Sequence, residues 1–134
     1  MKILIVEDNN NKFNDIRSAF EECGEINITR RISRNGTLVH LANIEKQDQM
    51  YDLIILDMQI PTYEDDPHHI LRDGGMQVFK RIQRYHYDVA VAFCSSEPVE
   101  CEGALACIQY NASLNITPLI RELLRDAKQA IEKQ

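Results

Sequence analysis

Apolar positions along this chain fall into two rhythms. Unbroken aliphatic runs occur at Ile3-Leu4-Ile5-Val6 and Leu53-Ile54-Ile55-Leu56. Such short runs predict strands covered on both faces, as in a parallel sheet. Between them the period is near 3.6: Phe13, Ile16, Phe20 and Cys23 form one helical stripe, ended by Gly24. The polar stretch 7–12 ahead of it predicts a loop containing good helix caps. Residues 26–32 begin by alternating and carry Arg30 and Arg31, which predicts an edge strand with an exposed face. After a turn at Asn35-Gly36, a second helix carries Leu38, Leu41, Ala42 and Glu45, with Val39 and Ile44 widening its apolar face.

The pattern lapses over residues 62–73, which hold Asp65, Asp66, a proline and His68-His69 without periodicity. A solvated loop is expected, and loops of this length are more often functional or mobile than neutral connections. The paired histidines lack the rigid spacing that fixes a metal geometry. Gly74-Gly75 then opens a third helix with Gly75, Val78, Phe79 and Ile82 on one side. Residues 89–94 predict a strand ending at Ser95-Ser96, residues 98–102 hold at most one helical turn before Gly103, and 106–110 form a weaker fifth strand. Thr117 as N-cap and Pro118 as first helical residue start a last helix that carries Leu119, Ile120, Leu123, Leu124, Ala127 and Ile131 in an amphipathic pattern. Five alternations of strand and helix imply an α/β fold with right-handed crossovers, one domain over residues 1–134.

Composition narrows the function classes. The 134 residues are 44% hydrophobic, enough for one core and too apolar for disorder. No apolar stretch approaches the roughly 20 residues of a membrane span. The start runs straight into a strand without a signal-peptide pattern, so a cytoplasmic location is expected. A net charge of -6 without a basic stripe argues against direct nucleic-acid binding. The four cysteines, Cys23, Cys94, Cys101 and Cys107, show no CxxC spacing and are expected to be reduced, although Cys101 and Cys107 are near enough in sequence to pair.

The chemistry lies where the aliphatic runs end. One runs into Glu7-Asp8 and the other into Asp57. In parallel sheets the residue beyond a strand's C-terminal end sits at the rim where ligands bind. Three carboxylates gathered there repel one another unless a cation joins them, and a small set of partly solvated oxygen ligands suits Mg²⁺. Asp57 is then placed to act as a nucleophile toward phosphorus. Asp52, ahead of its strand, reads as structural.

Lys2-Ile3-Leu4-Ile5-Val6-Glu7-Asp8-Asn9 and Tyr51-Asp52-Leu53-Ile54-Ile55-Leu56-Asp57-Met58-Gln59-Ile60-Pro61 resemble the receiver domains of two-component response regulators. Gly74-Gly75-Met76-Gln77-Val78-Phe79 and Phe93-Cys94-Ser95-Ser96 agree with that family's third helix and fourth strand. The resemblance implies a flavodoxin-like, doubly wound five-stranded parallel sheet of order 2-1-3-4-5. It implies Asp57 as phosphoacceptor, with Mg²⁺ held by Glu7, Asp8, Asp57 and the backbone carbonyl of Gln59. Ser95 becomes the hydroxyl that contacts the phosphoryl group, beside the simpler role of a helix cap. The implied partners are a histidine kinase or phosphotransfer protein and an unnamed downstream protein. No enzymatic activity is expected beyond the chain's own phosphorylation and dephosphorylation.

The chain also departs from that pattern. The family's lysine at the end of the fifth strand is absent from Cys107-Ile108-Gln109-Tyr110-Asn111-Ala112, where either Tyr110 or Asn111 stands in its place. The aromatic switch residue is missing, and the fourth helix is cut short. A degenerate receiver, binding a partner independently of phosphorylation, is the alternative reading. A metal-dependent phosphatase is a third, disfavoured because position 59 is Gln rather than a second acid or base. With the fifth-strand face depleted, any response is expected to be read through the insert 62–73.

Overall fold

The structure, a computed structural model, describes residues 1–133. Five parallel strands form one sheet: β1 (Ile3–Val6), β2 (Ile28–Arg31), β3 (Leu53–Leu56), β6 (Ala90–Ser95) and β7 (Ala106–Gln109), in the order β2-β1-β3-β6-β7. Both aliphatic runs are fully buried, because the pleat sends alternate residues to opposite cores. Ile3, Ile5, Leu53, Ile55, Ala92 and Cys94 face one layer, packed on helices α1 (Asn10–Glu22) and α4 (Thr117–Glu132). Leu4, Val6, Ile54, Leu56, Val91 and Phe93 face the other, under α2 (Arg34–Lys46) and α3 (Gly74–Arg84). The registers align the strand ends: Val6 lies beside Leu56, and Leu56 beside Phe93. Among the described residues no helix is long and apolar enough to cross a membrane.

The fold class and strand order are as expected, and several local expectations are corrected. Helix α1 starts within the supposed loop 7–12, because the Asn9 side chain accepts from Lys12 N at 2.9 Å and caps it. Its other end is as predicted, with Gly24 at φ +87° just past the cap. Asn35-Gly36 is no turn. Ser33 accepts from Gly36 N and draws both residues into the first turn of α2. Val39 is 62% exposed, so the apolar face of α2 is narrower than read. Ile116 rather than Thr117 is the N-cap of α4, and Thr117 is helical, its hydroxyl 3.1 Å from Glu22 Oε2. Asp52 is structural as expected, accepting from Lys2 N at 2.7 Å.

The insert is the exposed loop expected over residues 63–69, but it is pinched at its base by a two-residue antiparallel pairing, β4 (Ile60–Pro61) with β5 (Ile70–Leu71). Thr62 anchors it: its N–H donates to His69 O, and its carbonyl accepts from Asn35 N at the start of α2. The fourth helix is absent rather than shortened. Residues 96–105 form turns, with Ala104 N on Cys101 O and Gly103 at φ +91°. This reversal brings Cys101 back to β7, where it forms a disulfide with Cys107 at a Cα–Cα distance of 6.5 Å, correcting the expectation of reduced thiols there. Cys23 and Cys94 are free thiols.

Candidate functional site

The strand order reverses direction between β1 and β3, and crevices at such switch points, outside the carboxyl ends, are where α/β sheets bind ligands. Here the crevice is an open cavity of about 500 Å³ lined by Glu7, Asp8, Lys12, Asp57, Gln59, Ile70, Ser95 and Tyr110, among others. One carboxylate oxygen from each of Glu7, Asp8 and Asp57 lies within 4.8 Å of the others. Their placement follows from strand register: Asp57 N donates to Val6 O, which sets Asp57 beside the end of β1. Arg30 fixes the neighbouring loop, with Nε on Glu7 O at 2.9 Å, Nη2 on Asp8 O at 3.2 Å, and its guanidinium over the Phe13 ring. Gly75 lets α3 approach from the far side. Its N–H donates to Met58 O at 2.9 Å, and a Cβ there would collide with the Asp57 carbonyl.

The sequence reading missed one site residue, Lys12. Its side chain is only 5% exposed, and its Nζ lies 2.8 Å from Glu7 Oε1, 3.2 Å from Asp57 Oδ1 and 2.7 Å from the Cys94 carbonyl. The signal was present. Extending the stripe of Ile16, Phe20 and Cys23 back by four residues puts Lys12 on the buried face of α1. Tyr110 follows β7 directly, its N–H on Ser95 O, and its ring centroid lies 5.5 Å from Lys12 Nζ. Of the two residues left open for the missing lysine, Tyr110 therefore faces the site, held there by its hydroxyl on Asp15.

The electrostatics reflect crowding. Burial, then the charge of Asp57, pushes the Glu7 carboxyl well above its usual range, while Lys12 opposes both. Burial likewise raises Asp8. Burial alone would lower Lys12, but the Glu7 and Asp57 carboxylates outweigh it and hold the ammonium firmly protonated. Burial is also the main cause that raises the Tyr110 hydroxyl, to about 12. Glu7 Oε1 is buried and has the Lys12 ammonium, 2.8 Å away, as its ion-pair partner. Ser95 is the last residue of β6, buried, with Oγ accepting from Glu97 N at 3.4 Å; no helix follows for it to cap. His68 and His69 lie on the exposed hairpin, away from this cavity's lining.

The fold is that of CheY-like response regulator receiver domains. A receiver domain protein (CheY-like) from Methanospirillum hungatei superposes with a TM-score of 0.72 at 15% identity, covering 99% of this chain and 98% of that one. The receiver domain of a LuxO repressor protein from Vibrio parahaemolyticus gives a TM-score of 0.69 at 18% identity, over 98% and 93% of the two chains. The Mn²⁺-bound form of the response regulator Rcp1 gives 0.68 at 13% identity, over 90% and 89%. Among proteins of assigned role, the chain resembles the Detocs response regulatory protein DtcB of Enterobacter cloacae, 37% identical over 78 residues. That match covers 58% of this chain and 49% of DtcB, so it spans about half of that protein's length. No protein-family model matches the chain.

Proposed function

We propose that this chain is the receiver of a two-component phosphorelay, in which Asp57 accepts a phosphoryl group from a histidine kinase or phosphotransfer protein. The observation that carries the reading is the convergence of Glu7, Asp8 and Asp57 within 4.8 Å at the switch-point crevice. The donor set fits a divalent cation. It is all oxygen, it is open on one side, and its three carboxylates share one ammonium, Lys12, so negative charge is left over. Glu7, Asp8, Asp57 and the Gln59 carbonyl would hold Mg²⁺, which when bound neutralises charge on the transferring phosphoryl oxygens.

The chain's own residues do the rest. Asp57 is the nucleophile, 12% exposed at the cavity wall and reachable by a donor. Ser95 Oγ accepts from Glu97 N, which leaves its O–H able to donate to a phosphoryl oxygen. DtcB is by name a response regulatory protein of Detocs, and a regulatory role of that kind suits this chain. We place it in the cytoplasm, where phosphoryl donors of this class work, without direct nucleic-acid contact.

The test is intact-mass spectrometry after treatment with acetyl phosphate, with Mg²⁺ or with chelator. One phosphoryl adduct is expected with Mg²⁺ alone, and none in Asp57→Asn. The absence of any adduct from small or protein donors would favour a partner-binding module that ignores phosphorylation.

A further inference from the structure

We propose that Lys12, in the first turn of α1, supplies the cation that holds a phosphoryl oxygen on Asp57. The proposal rests on the reading of Asp57 as acceptor and adds the residue that completes it. The end of β7, from which a cation could reach the same place, offers only Tyr110.

Lys12 is costly where it stands. It occupies a stripe position where an apolar side chain would pack against the α1 core. A cation in the first turn of a helix also opposes the positive end of the helix dipole. A buried ion pair is often no more stabilising than well-packed apolar residues. Packing therefore does not account for a lysine at this position, and the geometry of its head does. The Cys94 carbonyl and the Tyr110 ring hold the ammonium on one side, and Glu7 and Asp57 receive it on the other. It is thus positioned beside the carboxylate that would carry the phosphoryl group, with its side chain only 5% exposed. Three carboxylates and one ammonium leave two formal negative charges, which a divalent cation would balance.

The transfer balances without a proton from Lys12. An Asp57 carboxylate oxygen forms a bond to phosphorus while the bond from phosphorus to the donor breaks, to oxygen in acetyl phosphate or to nitrogen in a phosphohistidine. The leaving group departs with the electron pair. Asp57 loses its charge as an acyl phosphate, and the new negative charge resides on the phosphoryl oxygens. Lys12 stays protonated and shifts its ion-pair contact from Asp57 Oδ1 to one of those oxygens. The ammonium binds more strongly as charge builds there, which is the differential contact that lowers a barrier.

The test follows adduct formation with acetyl phosphate and Mg²⁺ in the whole chain, alongside Mg²⁺ binding by NMR titration. Lys12→Met should slow phosphorylation by about a hundredfold, the usual effect of losing one preorganised donor, with Mg²⁺ binding kept or tightened because a competing cation is gone. Lys12→Arg should retain part of the rate. Lys12→Met/Tyr110→Lys, which returns an ammonium from β7, should recover at least about tenfold. A Lys12→Met rate within about threefold of wild type overturns the proposal, as does a rate that falls only in step with Mg²⁺ affinity. Should Lys12→Met fail to fold, the wild-type chain decides: the NMR signal of the Lys12 ammonium should move on adding beryllofluoride with Mg²⁺, and an unmoved signal refutes the role. If the wild-type chain forms no adduct at all, the acceptor reading has failed and this proposal falls with it.

Discussion

Replacing Gly75 by alanine should damage this protein in a way its helical position conceals. On propensity alone, Gly→Ala inside a helix stabilises by about 1 kcal/mol. Here the new Cβ would point at the Asp57 carbonyl carbon and oxygen and at Met58 Cα, all backbone that cannot swing aside. Overpacking typically costs about 1–3 kcal/mol, and a backbone obstacle places this site at the upper end. The net loss is then about 2 kcal/mol, or roughly 6–10 °C in Tm for a chain of this size. Gly24→Ala is the matched control. Nothing lies within 4 Å of its Cβ position, and its φ of +87° alone costs about 1 kcal/mol, or roughly 3–5 °C. The two variants should differ in kind as well as size. Only Gly75→Ala moves the segment bearing Asp57, so only it should weaken the rise in Tm on adding Mg²⁺. Differential scanning fluorimetry with and without Mg²⁺ reads both effects. A Gly75→Ala protein as stable as wild type, with its Mg²⁺ response intact, would refute the close-approach argument.

Three further outcomes are expected. Burial, then Arg31 and Lys2, holds His40 below its ordinary value of 6.5, so its share of stability is full above that pH and is lost as pH falls through the depressed value; His40→Gln should flatten this acid limb in melting scans, and an unchanged limb would contradict it. Closing the short Cys101–Cys107 loop constrains the unfolded chain by about 2 kcal/mol, so reductant should lower the wild-type Tm and leave Cys101→Ser/Cys107→Ser untouched. Because Ile70 lines the cavity that holds Asp57 and Thr62 O holds Asn35 N, beryllofluoride with Mg²⁺ should change hydrogen-exchange protection across residues 60–71; changes confined to residues 106–117 would rule out the insert as the element that reads the site.

What the sequence disclosed and what it hid have separate physical causes. The runs Ile3 to Val6 and Leu53 to Leu56 were legible because strands buried on both faces leave no polar position in the alternation. Their shared register then made the meeting of Glu7, Asp8 and Asp57 readable as well. Lys12 was hidden by its charge: a polar label placed it in a loop, although helical spacing put it on the buried face. The hairpin of β4 and β5 pairs only two residues per strand, too few for a period to show. The Asn35-Gly36 dipeptide read as a turn because its context, the cap from Ser33, overrides the local preference. Cys101 and Cys107 meet through a reversal at Gly103 that replaces a helix, which spacing alone does not specify.

The central claim is that a carboxylate at one strand end, Asp57, becomes an acyl phosphate. Borohydride reduces an acyl phosphate to an alcohol, turning a phosphorylated aspartate into homoserine at the modified position. Treating the chain with acetyl phosphate and Mg²⁺, quenching with borohydride and sequencing the peptides by mass spectrometry reads that position directly. The account predicts homoserine at residue 57, dependent on Mg²⁺ and on the donor, with Glu7 and Asp8 unmodified. An intact Asp57 together with a reduced carboxylate elsewhere, or no reduction under any donor, would contradict it.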